Sequence, residues 1–407
     1  MRLASDIVRF HLKNVPVIGN PRTGAIIGLT AEGDQLIDLM KSREVGTSDV
    51  TPSCESLVSY MAGHGFLRDP AKFSAKTCVM SAYLHVTARC NYSCLGCYTG
   101  AERACKHVEP TTSQLVRAID LLSELGVQQL IYFGGEPFMR DDIDRLIAHS
   151  HKQGIEQQVV ISNGSLLNKD MLHRIASQVD VIALSNDRLL DGETSAIGRA
   201  IDMPAYVQAI ERVRAAGIRP HVLMTVHANN YRNIPTYLAR AKELGVTIGF
   251  SILSCVEGNA KKLELDADQL RELSSILFES GHAISDLDLH GASGSGFTPR
   301  CSTHCGAGRV SVSIAHDGGI YPCHMLHVED LRLGNAFIDD AARVRGMLAS
   351  SLLPEVDAVE GCKTCESRYL CGGGCRARAL HDMGSLALRD PYCEYYRESI
   401  DHMIEKI

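Results

Sequence analysis

YLHVTARCNYSCLGC, residues 83–97, decides the architecture of this chain, because an apolar strand runs straight into a loop carrying Cys90, Cys94 and Cys97. Downstream the same strand-then-helix alternation repeats. TSQLVRAIDLLSELG (112–126) reads as a helix with a Thr/Ser start and a Gly stop. VQQLIYFGG (127–135), EQQVVISNG (156–164), VDVIALSND (179–187), IRPHVLMTV (218–226) and VTIGFSILS (246–254) read as further strands, with amphipathic helices between them. Six βα units with short apolar strands predict a parallel sheet, closed or partly closed into a TIM-like (β/α)6 barrel over residues 80–257. In such barrels the site lies at the strand C-termini. The residues there are Cys90, Cys94 and Cys97 after the first strand, Gly134, Gly135 and Glu136 after the second, and Ser162 and Asn163 after the third.

Upstream, residues 1–70 read as a separate unit. IVRFHLKNVPVIGN and TGAIIGLT are short strands around a turn at Asn20-Pro21-Arg22, two amphipathic helices follow, and a linker spans Leu67–Ser74. Residues 258–300 hold one long helix, DADQLRELSSILFESG, and the loop GASGSGFTPR. Residues 301–407 are Cys-rich, with little periodicity before the closing helix YCEYYRESIDHMIEKI.

The 407 residues are 45% apolar and 22% charged, a folded composition, with a formal charge of -7. A net acidic chain without a Lys/Arg run is a poor partner for nucleic acid or anionic membranes. No stretch is long and apolar enough for a transmembrane helix, and the charged start MRLASDIVRFHLKN lacks a signal-peptide core, so the expected location is the cytoplasm. There, 15 Cys do not read as disulfides, and the odd count would leave one over.

Cys90, Cys94 and Cys97 follow a C-x3-C-x2-C spacing, and soft thiolates select zinc or iron–sulfur. Spacing leaves both open, with Cys105 or His107 available as a fourth zinc ligand. With the following GGEP and the six βα units, however, the segment resembles the radical S-adenosylmethionine (SAM) enzymes. The resemblance implies that the three Cys hold a [4Fe–4S] cluster whose open iron binds SAM, which one electron cleaves to a hydrogen-abstracting radical. It further implies that Gly134, Gly135 and Glu136 contact the SAM amino group, Ser162 and Asn163 lie near the ribose, and Ser185 and Arg199 contact ribose and carboxylate. Two positions depart from the family pattern. An aromatic often precedes the third Cys, where this chain has Gly96, leaving Tyr98 as the nearest ring for adenine. The common Ser-x-Asp-Gly is here Ser185-Asn186-Asp187-Arg188.

The C-terminal Cys pattern, with Gly318 in register, resembles the SPASM extension of the same enzymes, although C-x2-C and C-x3-C alone would also suit two zinc ribbons. The resemblance implies two auxiliary [4Fe–4S] clusters, hence three in all. The first would take Cys301, Cys305, Cys323 and Cys375, and the second Cys362, Cys365, Cys371 and Cys393. If Cys301 does not bind, the first cluster has an open iron. Cys54 and Cys78 read as structural, and Cys255, after the sixth strand, as a candidate hydrogen donor.

The pattern of residues 1–70 resembles a PqqD-like peptide-recognition element of winged-helix type, which captures a leader peptide as an added edge strand; a plain cap on the barrel is the alternative. The expected activity is therefore that of a peptide maturase, acting on a precursor peptide with a leader and fed by a donor such as flavodoxin or ferredoxin. It would install a thioether or carbon–carbon crosslink. Rival readings are formylglycine formation, in which His324 would replace the Asp usual after the Tyr-x-Cys segment, peptide epimerisation with Cys255 as donor, and a zinc-stabilised binding protein without catalysis.

Overall fold

The computed structural model describes residues 1–68, 79–97, 108–254, 259–281, 300–350 and 353–405. Two compact units do not follow chain order: one comprises residues 77–296 and 306–353, the other residues 1–76, 297–305 and 354–407.

The larger unit is built on the parallel strands β4 (Ser81–Thr87), β5 (Gln129–Gly134), β6 (Gln157–Ser162), β7 (Val181–Asn186), β8 (Arg219–Val226) and β9 (Thr247–Ile252), paired in chain order. Strand β4 is buried along its whole length, as a sheet covered on both faces requires. Tyr83, Ile131, Val159, Ile161, Val181 and Ala183 make one apolar cluster on these strands. The connecting helices begin and end where the sequence signals them. Helix α3 (Thr112–Leu125) opens on a Thr111/Gln114 capping box and stops at Gly126, with φ +93°. Helices α4 (Ile143–Lys152), α5 (Lys169–Ile175), α6 (Met203–Ala215) and α7 (Ile234–Glu243) follow, and α8 (Ala267–Glu279) starts at the cap Asp266.

The sheet does not stop at β4. Within the Cys-rich segment, β10 (Ser311–Ile314) pairs parallel to β4, and β11 (Gly319–Tyr321) and β12 (Gly334–Asn335) extend the edge antiparallel. The expectation of little periodicity there is corrected in part: these strands and helix α9 (Ala341–Ser350) are regular. The link between β10 and β11 holds Asp317-Gly318, where Gly318 has φ +85°.

In the smaller unit, β1 (Val8–Leu12), β2 (Val15–Gly19) and β3 (Ile26–Gly28) form an antiparallel sheet. The single stretch expected over 7–20 is a hairpin, because Lys13 and Asn14 both adopt positive φ, 45° and 68°. The turn after Asn20 forms as expected, with the Asn20 amide donating to the His64 and Gly65 carbonyls. One sheet face packs Ile18 against α1 (Ala31–Ser42) and α2 (Glu55–Gly63) through Leu36, Ile37, Met40 and Met61. The other face puts Phe10 and Val17 against Cys301, Val356, Val359 and Tyr369 of the Cys-rich segment. Helices α10 (Arg368–Cys371), α11 (Arg376–Met383) and α12 (Cys393–Glu405) complete the unit. Among the described residues, no helix is long and apolar enough to cross a membrane.

Candidate active site and cysteine-lined cavities

At the C-terminal ends of β4–β9, a cavity of about 220 Å³ is lined by Cys90, Cys94, Cys97, Gly134, Gly135, Glu136, Ser162, Asn163, Ser185, Arg199 and His324, among others. All these residues were singled out from the sequence, and the strand ends bring them together. Tyr98, Cys105, His107 and Cys255 lie outside the described residues.

The double glycine is required by close approach. Thr87 to Arg89, leading into Cys90, run against the end of β5, where the Gly135 N–H donates to the Thr87 carbonyl and the Glu136 N–H to the Arg89 carbonyl, at 2.9 and 2.8 Å. A β-carbon at Gly135 would collide with the Arg89 carbonyl, and one at Gly134 with the Thr87 carbonyl. Gly96 adopts φ +73°, so the turn that returns the chain to Cys97 explains why a glycine stands where the family often has an aromatic.

Glu136 is buried, 1% exposed, and its carboxylate accepts from Ser162 Oγ (2.9 Å), Asn163 N (2.8 Å) and Phe138 N (3.2 Å). Burial pushes its carboxyl up, while these donors oppose the shift. Glu136 thus ties the β5 and β6 loops together. Asn163 Nδ2 continues the chain to Asn91 Oδ1 in the cysteine loop, at 2.9 Å. Burial also raises the Cys90 and Cys94 thiols, with the Arg199 charge among the effects that oppose it.

The loop after β7 departs from the family pattern yet is tightly built. Buried Asp187 accepts from Ser195 Oγ (2.7 Å), Ala196 N (2.8 Å) and Ile197 N (3.2 Å), and lies 3.5 Å from His227 Nε2. Burial disfavours its charge, but nearby His227, the bonds from Ser195 and Ile197 and the Arg199 charge hold the carboxyl below its usual range. Arg188, at the position of the usual glycine, clamps the Glu193 and Ile201 carbonyls. The Ile197 carbonyl in turn accepts from Leu95 N in the cysteine loop, at 2.8 Å, and Arg199 Nη1 donates to Ser185 Oγ at 2.9 Å. Sequence reasoning missed Asn91, Asp187 and His227; the acidic Asp187 was the one visible signal.

His324 lies in the cavity wall with its ring 4.2 Å from that of Tyr83, and burial pushes its imidazole down to about 4. It is therefore neutral near pH 7, and its burial disfavours the protonated form.

A second cavity, about 390 Å³, lies in the smaller unit and is lined by Cys362, Cys365, Cys371 and Cys393 together with Gly373, Gly374, Arg389 and Asp390. Burial pushes the Cys371 thiol up to about 12 and that of Cys393 to about 11, so both are protonated until a cation displaces the proton. Among the described residues, no group of three or more His, Cys, Asp or Glu side chains has the arrangement of a metal-ion site. Four thiols around one cavity are a donor set suited to a four-iron cluster or to one zinc ion.

The other four thiols are divided between the units. Cys323 belongs to the sheet-bearing unit; Cys301, Cys305 and Cys375 belong to the other. Cys301 is 3% exposed in the apolar cluster with Phe10 and Val17, close against Gly19, and burial alone pushes its thiol up to about 12. Cys54 is buried in the core of α1 and α2, as expected of a structural thiol.

Residues 84–251 match the radical SAM superfamily. The PqqA peptide cyclase of Gluconobacter oxydans is 27% identical over 340 residues, covering 80% of this chain and 94% of that protein. Two solved structures share the fold. One is anSMEcpe with bound AdoMet, with TM-score 0.65 and 18% identity over 80% of this chain and 97% of that chain. The other is Streptococcus suis SuiB bound to the precursor peptide SuiA, with TM-score 0.60 and 17% identity over 96% and 99%.

Proposed function

The chain carries a radical SAM domain over residues 84–251, and from that premise we propose a peptide maturase that closes a thioether or carbon–carbon crosslink in a ribosomally made precursor. The observation that carries this reading is the gathering of Cys90, Cys94 and Cys97 with Glu136, Ser185 and Arg199 around one cavity at the strand ends. The PqqA peptide cyclase and the peptide-bound SuiB structure support a peptide as substrate.

Cys90, Cys94 and Cys97 would hold the cluster, and the Gly134–Glu136 backbone and the Ser185–Arg199 pair would orient SAM by its amino and carboxylate groups. When bound, cluster and SAM supply the hydrogen-abstracting chemistry. Closing a crosslink removes two hydrogens: one as an atom, the other as a proton and an electron. His324 would take the proton only against the burial that disfavours its charged form. Auxiliary clusters on Cys362, Cys365, Cys371 and Cys393, and on Cys301, Cys305, Cys323 and Cys375, would receive the electron, and flavodoxin or ferredoxin would start each cycle. Residues 1–70 would act as the PqqD-like leader-binding element, in the cytoplasm, ahead of a radical SAM core over 80–257 and a SPASM domain over 301–407.

The deciding experiment incubates anaerobically reconstituted chain with SAM, a reductant and candidate precursor peptides, and reads peptide mass and 5′-deoxyadenosine. A loss of two hydrogens is expected. Unchanged mass with deuterium uptake from solvent would mean epimerisation instead. A colourless protein with stoichiometric zinc and no SAM cleavage would overturn the reading altogether.

A further inference from the structure

Two arginines stand close together at the start of α11, and they differ in one respect. Arg378 is paired: its Nε and Nη2 donate to the two oxygens of Asp390 at 3.0 and 2.8 Å, and its guanidinium lies 4.4 Å from the centre of the Tyr392 ring. That pair is internally neutral. Arg376 is more deeply buried, 1% exposed, yet it bonds only neutral carbonyls, those of Leu386 (2.7 Å), Leu388 (2.8 Å) and Gly373. Its Nε is buried without a partner, and among the described residues no ion pair joins it to a carboxylate.

A guanidinium taken out of water without an anion is expensive, and folded chains rarely keep one. Arg376 Nη2 donates to the carbonyl of Gly373, a residue of the four-thiol cavity wall whose own N–H donates to Cys371 Sγ at 3.4 Å, and Arg389 lies on the same wall. The cation is thus built into the fold before any metal arrives. A cluster gains one negative charge on reduction, so a fixed buried cation beside it stabilises the reduced form more than the oxidised one.

We propose that Arg376 is the fixed counter-charge of an iron–sulfur cluster held by Cys362, Cys365, Cys371 and Cys393, raising its reduction potential so that this cluster accepts the electron left over when the peptide bond partner is joined. The inference rests on the cluster assignment made under the proposed function.

The test is an anaerobic redox titration followed by electron paramagnetic resonance. It uses the full chain with Cys90, Cys94 and Cys97 replaced by Ala, so that auxiliary signals stand alone. Arg376→Met should make the cluster harder to reduce by about tenfold or more in its one-electron equilibrium, ~59 mV. Arg376→Lys should hold the potential near the parent's. Arg389→Gln, at an exposed position on the cavity wall, should shift it in the same direction by less. Should Arg376→Met fail to fold, Arg376→Gln, which keeps an amide donor for the carbonyls but removes the charge, decides: a lowered potential supports the inference and an unchanged one overturns it. Equal falls in Arg376→Met and Arg376→Lys would also overturn it, since charge would not be the cause. A Cys371→Ala chain with undiminished iron and the parent's spectrum would overturn the cluster assignment itself, a failure separate from that of the electrostatic claim.

Discussion

The two cysteine-lined cavities are built on opposite plans. The one at the strand ends sets three thiols beside Arg199 and a web of hydrogen bonds, with Glu136, Ser162, Asn163 and Asp187 knotting successive loops together. The one in the smaller unit gathers four thiols, carries both Arg389 and Asp390 on its wall, and has the buried Arg376, which bonds no carboxylate, held to its Gly373 carbonyl. Three thiols leave a coordination position for an exchangeable ligand, and the polar loops are what such a ligand needs to be oriented. Four thiols would leave none, so that under the proposed function the first site would make and break bonds and the second would hold electrons.

The largest effect should separate the two sites. Replacing Cys90, Cys94 and Cys97 with Ala should reduce 5′-deoxyadenosine formation to background. Replacing Cys362 and Cys371 should leave reductive SAM cleavage intact while stopping crosslinking. Loss of SAM cleavage from both would break the comparison.

Gly135→Ala probes the loop knot sterically. The new methyl meets the Arg89 carbonyl, so the chain should lose on the order of 2–4 kcal/mol in denaturant melts, together with iron at the three-thiol site. Glu136→Gln removes the charge from three hydrogen bonds, and SAM affinity measured by equilibrium dialysis should fall roughly tenfold to a hundredfold. Asp187→Asn keeps the shape but weakens the hold on Ser195, Ala196 and Ile197. Its effect on SAM affinity should be about tenfold or less, and an unchanged affinity would remove that loop from cofactor binding.

The smallest effect concerns pH. In the metal-free chain, Cys301 and Cys371 have thiols raised to about 12 and Cys393 to about 11, against ~8.5 in the unfolded chain. A raised acid binds its proton more tightly when folded, so its stabilising contribution is complete below pH ~8.5 and is lost as pH rises toward the folded value. Denaturant melts of metal-free chain should therefore weaken from pH 8 to 10.5, and Cys301→Ala should flatten part of that slope. A slope identical in the variant would show that Cys301 is not the buried acid described.

Much of the first cavity was legible in the sequence, because parallel strands put their C-terminal residues at one end and the motif residues occupied those ends. What escaped were partners distant in sequence: nothing local to Asn91 announces Asn163, and Asp187 resembled a mere departure until its loop was seen to close on it. Strands β10 and β11 were missed for another reason. VSVSI followed by Asp-Gly carries the alternation and turn of a hairpin, but the density of nearby cysteines drew the reading toward metal ligation. Arg376 could not have been found from sequence, since its lack of a carboxylate partner exists only in three dimensions.

The apolar cluster shared by Phe10, Val17, Val356 and Val359 has a consequence for synthesis. Val17 leaves the ribosome roughly 340 residues before Val356, so at ~5–20 residues per second the sheet waits on the order of tens of seconds with one face uncovered. During that interval its apolar side is open to chaperones or to another chain. Cutting the N-terminal segment away would, conversely, leave Val356, Val359 and Tyr369 bare beside the second cavity. A truncation meant to test peptide capture therefore needs an iron measurement alongside it.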